Sequence, residues 1–283
     1  MMNQKAKCKT SLWQAYQRCK EKLSRFDEND IEAKLIVSHV LNIGLNDIYV
    51  KKDIAVSLRD KRRIEKLTKL RLKGQPLQYV IGKTEFFGYP FYCDKRALIP
   101  RDETELLCEK ALELLNDSDR VLDLCTGSGC IGITLKKQRP KISVTCSDQS
   151  SKALRVAKKN AMLNSINIAF VKSDLFNKIH GTFDLIVSNP PYINLADYKN
   201  LDQKVLDYEP KMALLGGDDG LDIIRIIIKQ AKTKLKQNGY LLLEIGYDQG
   251  TKASELLEKN GYDEIKVFSD YANFDRIVIG RKI

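Results

Sequence analysis

The feature that most constrains the fold is an apolar run that ends abruptly at two prolines. Residues 183–188 (FDLIVS) predict a buried strand, and Asn189-Pro190-Pro191-Tyr192 follow directly. Proline offers no backbone N–H, so a sheet ladder cannot continue through this pair. The strand is therefore expected to end at Ser188. The next four residues then form a stiff loop at its carboxyl end, the edge at which open α/β sheets bind ligands.

This loop, Asn189–Tyr192, is called the acceptor loop because its groups suit a planar amine. The amide oxygen of Asn189 and the carbonyl oxygen of Pro190 are hydrogen-bond acceptors, and Tyr192 offers a flat aromatic face. Two acceptors beside such a face suit an –NH2 group on an sp2 carbon, either a carboxamide or the exocyclic amine of a nucleobase. A plain Asn-Pro turn is the alternative.

A glycine-rich turn upstream predicts a nucleotide-binding unit. A strand over 120–124 is followed by a loop and then by a helix through Lys137. The loop consists of Cys125, Thr126, Gly127, Ser128 and Gly129. We call residues 125–129 the glycine loop. Its glycines let the backbone approach a ligand closely, and a helix N-terminus follows.

Further residues at strand ends complete the expected cofactor site. Asp148 comes just after a second predicted strand, 142–146, about 20 residues beyond the glycines, where an acid can hold both ribose hydroxyls. Asp174 and Leu175 follow a third predicted strand, 168–172. At that strand end they are placed to face the amine and the ring of an adenine.

The choice of cofactor depends on what the glycine loop lacks. It has no third spaced glycine of the pyrophosphate fingerprint, and no basic residue lies beside it in sequence. NAD and FAD each carry a pyrophosphate, whereas S-adenosylmethionine carries a sulfonium and no phosphate. The loop therefore favours S-adenosylmethionine, and the carboxylates of Asp123 and Asp148 suit its positive charge.

The N-terminal third is helical and basic. Apolar residues at three- and four-residue spacing predict amphipathic helices over 10–73, the second of them capped by Asp30. Residues 1–83 hold 19 Lys+Arg and 9 Asp+Glu, a net charge of +10, whereas the other 200 residues hold 29 and 28. This charge suits an acidic or polyanionic partner, and a solvated lysine-rich surface is the alternative.

Beyond a predicted aromatic β-hairpin, strands and helices alternate. The last two strands, 264–268 and 275–280, are close enough in sequence to pair antiparallel without a crossover helix. The pattern predicts an α/β fold with a seven-stranded, mostly parallel sheet and helices on both faces. We expect three regions, namely a basic helical bundle over 1–83, a β-hairpin connector over 84–95 and the α/β domain over 96–283.

Composition disfavours several classes of protein. No apolar run approaches the roughly 20 residues that span a bilayer, and the polar stretch from Met1 to Lys9 does not predict a signal peptide. The seven cysteines are dispersed, without a Cys-x-x-Cys pair, and the chain has two histidines. A disulfide framework or a metal site is therefore not expected. We expect a cytoplasmic protein with reduced thiols and no bound metal.

Five motifs together resemble one family. They are Leu98-Ile99-Pro100-Arg101 with Glu103-Thr104-Glu105, Asp123-Leu124 with Thr126-Gly127-Ser128-Gly129, Asn189-Pro190-Pro191-Tyr192, Tyr208-Glu209-Pro210 through Gly220-Leu221-Asp222, and Glu244-Ile245-Gly246-Tyr247-Asp248. With them, residues 74–283 resemble the protein-(glutamine) N-methyltransferases that modify peptide chain release factors, the PrmC/HemK family. The resemblance implies a small helical domain followed by a Rossmann-like methyltransferase domain.

The resemblance also implies roles for individual residues. Residues 125–129 and Asp148 would bind S-adenosylmethionine, with Leu175 beside the adenine. The acceptor loop would bind the glutamine of the GGQ motif in a class I release factor. S-adenosylhomocysteine would be the product, and direct nucleic-acid binding would not be required.

Three positions depart from the usual family pattern. Asp102 stands where proline is usual, Cys125 where glycine is usual and Leu175 where an aromatic residue is common. Because Cys125 is small, the glycine loop is expected to keep its shape. Leu175 is expected to weaken adenine stacking. None of the three belongs to the acceptor loop.

Other functions stay open at this point. A DNA adenine-N6 methyltransferase would present a flipped adenine to the same four residues, although no target-recognition domain is evident and the run 208–222 favours glutamine. A glutamine methyltransferase acting on a ribosomal protein shares the same loop. A non-catalytic RNA- or ribosome-associated protein would instead use the basic helix predicted over 58–73.

Overall fold

The computed structural model of the protein describes residues 10–283. The described chain divides into two compact units, with the boundary between Gly82 and Lys83. Cys8 and the polar stretch from Met1 to Lys9 lie outside the described residues. No helix in the described part of the chain is long and apolar enough to cross a membrane.

The first unit is a helical bundle, as the sequence predicts. Its helices are α1 (Leu12–Lys22), α2 (Asn29–Leu41), α3 (Asp47–Val50), α4 (Leu58–Leu72) and α5 (Leu77–Ile81). Helix α1 begins with a capping box, in which the Ser11 hydroxyl accepts from the Gln14 N–H and the Gln14 side chain accepts from the Ser11 N–H. The apolar stripes of α1 and α2 meet in a core that contains Leu12, Leu23 and Ile36.

Asp30 does not cap α2, so that prediction was wrong. The helix begins at Asn29, which puts Asp30 inside its first turn, and it has no side-chain cap. The Asp30 carboxylate instead accepts from the Tyr16 hydroxyl at 2.5 Å and pairs with Lys20 at 2.5 Å and with Lys34. Hydrogen bonds from Lys20 and Lys34 hold the pKa of Asp30 well below its usual range. Charged donors bind a carboxylate more strongly than a neutral backbone N–H, so the tertiary contact prevails over the local one.

The second unit is an α/β fold preceded by a hairpin of β1 (Lys83–Phe86) and β2 (Tyr89–Tyr92). The other strands are β3 (Arg120–Leu124), β4 (Ser143–Asp148), β5 (Ala169–Lys172), β6 (Phe183–Ser188), β7 (Leu235–Glu244), β8 (Tyr262–Ser269) and β9 (Asp275–Lys282). The helices are α6 (Glu103–Leu114), α7 (Cys130–Gln138), α8 (Ser151–Leu163), α9 (Leu195–Asn200), α10 (Gln203–Tyr208), α11 (Asp222–Lys234) and α12 (Gly250–Lys259), with a 3-10 turn at Lys211–Ala213.

The predicted seven-stranded sheet is confirmed. Its order is β5-β4-β3-β6-β7-β9-β8. The first five strands run parallel, and β9 pairs antiparallel with both β7 and β8. The central strands β3 and β6 bury apolar side chains on both faces of the sheet, because both faces are covered. Their carboxyl ends, and those of β4 and β7, meet at one edge.

Candidate active site

A cleft opens at this edge and collects most of the predicted site. The predicted residues in its lining are Cys125, Thr126, Gly127, Ser128, Asp148, Asp174, Leu175, Asn189 and Pro191. Gly129, Pro190 and Tyr192 lie outside the lining. The cleft therefore brings together most of the glycine loop, the acid that ends β4, the acid that follows β5, and part of the acceptor loop.

The glycine loop turns the chain sharply from β3 into α7. Gly129 has a φ of +83°, and a Cβ there would lie 3.0 Å from the side chains of both Ala157 and Ile133. Glycine is therefore required by backbone conformation and by space together. Cys125 also adopts a left-handed conformation, with φ +59°, which costs a residue with a side chain about 1–2 kcal/mol.

Asp123 forms hydrogen bonds with both the glycine loop and α7. Its Oδ2 accepts from the Thr126 hydroxyl at 2.5 Å and from the Gly132 N–H, in the first turn of α7, at 2.9 Å. The carboxylate is fully buried, and burial raises the pKa of Asp123 to about 6. Asp123 does not line the cleft, so its contacts assign it to the loop rather than to a ligand.

Asp148, in contrast, lies in the cleft. Its Oδ2 accepts from the Gly127 N–H at 2.9 Å and its Oδ1 from the Ser150 N–H at 2.8 Å. Each carboxylate oxygen keeps a further lone pair. Burial raises the pKa of Asp148 above its usual value, because the ionised form loses solvation.

The acceptor loop begins where β6 stops, as predicted. Ser188, the last residue of β6, donates its hydroxyl to the Leu124 carbonyl at 2.7 Å. The Asn189 side chain donates from Nδ2 to Thr104 Oγ1 at 3.0 Å. The Tyr192 hydroxyl donates to Glu244 Oε1 at 3.0 Å. A stacking role for the ring of Tyr192 stays a prediction.

The chain after α10 packs against the acceptor loop from behind. The Ile193 N–H donates to the Leu214 carbonyl at 2.9 Å, and the Gly216 N–H donates to the Ile193 carbonyl at 2.8 Å. The buried side chain of Gln249 donates to the Tyr192 carbonyl at 2.9 Å. These contacts hold the backbone of the acceptor loop. None of them involves Asn189 Oδ1 or the Pro190 carbonyl oxygen.

Two residues that the sequence analysis did not assign to the site contact the acceptor loop. Thr104, in the first turn of α6, and Glu244, at the end of β7, are both buried and are joined by a 2.7 Å hydrogen bond. Both belong to motifs that carry the family resemblance, which was the available signal. In addition, an ion pair between Arg101 and Glu209, at 2.5 Å, joins the segments 98–101 and 208–210 at the cleft.

Comparison with known proteins identifies the family. The model of the methyltransferase small domain matches residues 102–209, and that of the PrmC N-terminal domain matches residues 14–82. A release factor glutamine methyltransferase from Thermodesulfovibrio yellowstonii is 36% identical over 274 residues, which is 95% of this chain and 98% of that protein. The chain belongs to the release factor glutamine methyltransferase family.

Other relatives agree with this assignment. The release factor glutamine methyltransferase of Clostridium acetobutylicum is 36% identical over 280 residues, with 96% of this chain and 98% of that protein covered. Among solved structures, a methyltransferase from Pyrococcus furiosus aligns with a TM-score of 0.55 at 18% identity, covering 79% of this chain and 98% of that one. At this identity the structural match supports the Rossmann-like methyltransferase fold alone.

Proposed function

We propose that this protein transfers the methyl group of S-adenosylmethionine to the side-chain amide nitrogen of a glutamine in class I peptide chain release factors. The observation that carries the proposal is that Asn189, Asp148 and residues 125–128 of the glycine loop line one cleft. A methyl donor and an amide acceptor can therefore meet there. Family membership supports the choice of glutamine over the alternatives, a nucleobase or a ribosomal protein. The proposed substrate implies a cytoplasmic location.

The residues of the cleft fit S-adenosylmethionine. The two oxygens of Asp148 each accept one N–H and retain a lone pair for a ribose hydroxyl. Asp174 and Leu175 would lie against the adenine, and the backbone of the glycine loop would face the methionine part. When bound, the cofactor supplies a methyl group activated by a sulfonium and leaves as S-adenosylhomocysteine.

The acceptor loop would position the glutamine nitrogen. This nitrogen is a weak nucleophile because its lone pair is delocalised into the carbonyl. Asn189 Oδ1 and the Pro190 carbonyl would accept its two N–H hydrogens, which orients the nitrogen and favours the positive charge that develops on it. Near-attack placement of this kind contributes about 7–11 kcal/mol to catalysis. The methylated nitrogen then loses a proton to water, so no strong base is required.

The test is incubation of the protein with radiolabelled S-adenosylmethionine and purified release factor, followed by mapping of the modified residue. Asn189→Ala should bind S-adenosylmethionine normally but lose kcat by about two orders of magnitude or more, as with a lost oxyanion-type contact. Asn167→Ala, at an exposed loop position, is the matched control and should keep wild-type kcat. No label on a glutamine of the release factor, with label on duplex DNA in a parallel incubation, would refute the proposal, as would near-normal turnover by Asn189→Ala.

A further inference from the structure

A buried chain of hydrogen bonds leads away from the acceptor loop into the protein. Asn189 Nδ2 donates to Thr104 Oγ1 at 3.0 Å, and Thr104 Oγ1 donates to Glu244 Oε2 at 2.7 Å. Tyr192 donates to the other oxygen of the same carboxylate at 3.0 Å. Thr104 and Glu244 are 2% and 1% exposed, so water does not compete for these groups.

The number of available protons fixes which group donates and which accepts in each of these hydrogen bonds. A carboxylate can only accept, so both Thr104 and Tyr192 must donate to Glu244. The single hydroxyl proton of Thr104 is then committed, and Thr104 can only accept from Asn189. The Asn189 amide must therefore direct its NH2 group to Thr104, which leaves Oδ1 for another partner. Asparagine oxygen and nitrogen are distinguished by such networks rather than by shape.

We propose that Thr104 and Glu244 are positioning residues that hold the Asn189 amide with its oxygen available to the substrate nitrogen. The inference rests on the proposed function, since it explains how the acceptor is presented. It also adds an electrostatic role. Each hydrogen bond in the chain polarises the next, so the carboxylate two bonds away increases the negative charge on Asn189 Oδ1. That favours the positive charge that develops on the methylated nitrogen.

Protonation of Glu244 allows the donors and acceptors of these hydrogen bonds to exchange roles. A protonated Glu244 can donate to Thr104, whose own proton is then free to reach Asn189 Oδ1. The amide can now turn its NH2 group toward the substrate, where it repels another N–H. Burial raises the pKa of Glu244 to about 6, and Thr104, Tyr192 and Arg276 oppose that rise. The correct orientation is therefore enforced above about pH 6 and lost as the pH falls below it.

The charged and titratable groups that face Glu244 come from every neighbouring element. Arg276 of β9 favours its ionised form, and Glu103 of α6 disfavours it. Cys108 of α6 and Cys130 of α7 stay protonated because burial raises the pKa of both thiols. The Tyr192 hydroxyl also keeps its proton, because burial and Glu244 raise the pKa of Tyr192 far above its usual value.

One experiment compares Thr104→Val with Thr104→Ser in the full chain at saturating S-adenosylmethionine and release factor. Valine keeps the shape without the hydroxyl and should lower kcat by about tenfold or more, whereas serine restores most of it. The affinity for S-adenosylmethionine, measured by calorimetry, should be the same in both. Equal kcat for the two variants would overturn the inference.

The pH dependence of the wild-type protein provides a second readout. Below about pH 6 the wild-type kcat should fall by up to tenfold per pH unit, as for a single ionisation. Asp123 titrates in the same range, so Glu244→Gln serves as the control and should lose this limb of the profile. Persistence of the full limb in Glu244→Gln would contradict a role for this carboxylate.

A spectroscopic readout separates this inference from the proposed function. In the 15N-labelled protein alone, the side-chain NH2 signal of Asn189, assigned by its loss in Asn189→Asp, should shift between about pH 7.5 and about pH 5, on either side of the Glu244 pKa of about 6, as the amide changes partner. A pH-invariant signal would overturn the inference whether or not release factor is methylated. Absence of methyl transfer by the wild-type protein, with the shift present, would instead refute the proposed function alone.

Discussion

Replacing Gly216 with alanine places a methyl group between the acceptor loop and the turn that packs behind it. The added Cβ would lie 2.6 Å from the Pro191 carbonyl oxygen, 2.5 Å from the Gly220 carbonyl oxygen and 2.9 Å from the Tyr192 Cα. All three are backbone atoms, so no side chain can rotate away. The methyl group meets one oxygen from the loop and one from the turn.

The size of the required shift follows from these distances. Ordinary van der Waals contact for a Cβ begins near 3.4 Å, so the Pro191 oxygen must recede by about 0.8 Å, the difference between 3.4 and 2.6 Å. Displacing a reacting group by about 1 Å can cost about a hundredfold in rate. We therefore expect kcat to fall about a hundredfold. Overpacking should lower the free energy of unfolding by about 1–3 kcal/mol.

The assay is methyl transfer to release factor, with calorimetric titration of S-adenosylmethionine as the second measurement. Affinity for the cofactor should be unchanged, because the glycine loop and Asp148 belong to other strands. Gly44→Ala is the matched control, since a Cβ there meets only Asp47 side-chain atoms, the nearest at an ordinary 3.7 Å. A kcat for Gly216→Ala within about threefold of wild type would show that the turn does not set the position of the loop.

Two further predictions concern ionisable groups. Arg71→Met should lower the free energy of unfolding, measured with urea, by about 3–5 kcal/mol, because it leaves the buried Glu32 without the guanidinium that contacts it at 2.8–3.0 Å. The double variant Arg71→Met/Glu32→Leu should recover most of that loss, and a loss below about 1 kcal/mol in the single variant would contradict the argument. For Asp148, burial raises the pKa above its usual value, so the carboxylate that accepts ribose hydroxyls takes up a proton at a higher pH than an exposed aspartate does. Affinity for S-adenosylmethionine should therefore weaken as the pH is lowered in the wild-type protein, and an equally steep decline in Asp148→Asn would rule out this carboxylate as its cause.

Much of the fold follows from local rules that a sequence displays. Alternating strands and helices predict a parallel sheet, and the short connection between β8 and β9 predicts their antiparallel pairing. Prolines at 190 and 191 end β6 because they cannot donate to a ladder. The glycine loop is predictable for the same kind of reason, since the sharp turn into α7 depends on residues next to one another in the chain.

The contacts that orient the site depend on residues far apart in sequence. Thr104 and Glu244 are separated by 140 positions, and they meet because α6 packs against β7. No local pattern encodes that neighbourhood. Asp30 is a second example of a contact that the local sequence does not predict. Its position suggested a helix cap, whereas the packing of α1 against α2 supplied Tyr16 and Lys20 as stronger partners.

The sequence by itself thus determined the strand ends and the chemical groups that they carry, because backbone conformation and hydrophobic periodicity are local properties. Only the tertiary structure decided which way the Asn189 amide faces. That choice depends on how many protons the side chains of Thr104, Tyr192 and Glu244 can share, and those three side chains become neighbours only after the sheet has formed.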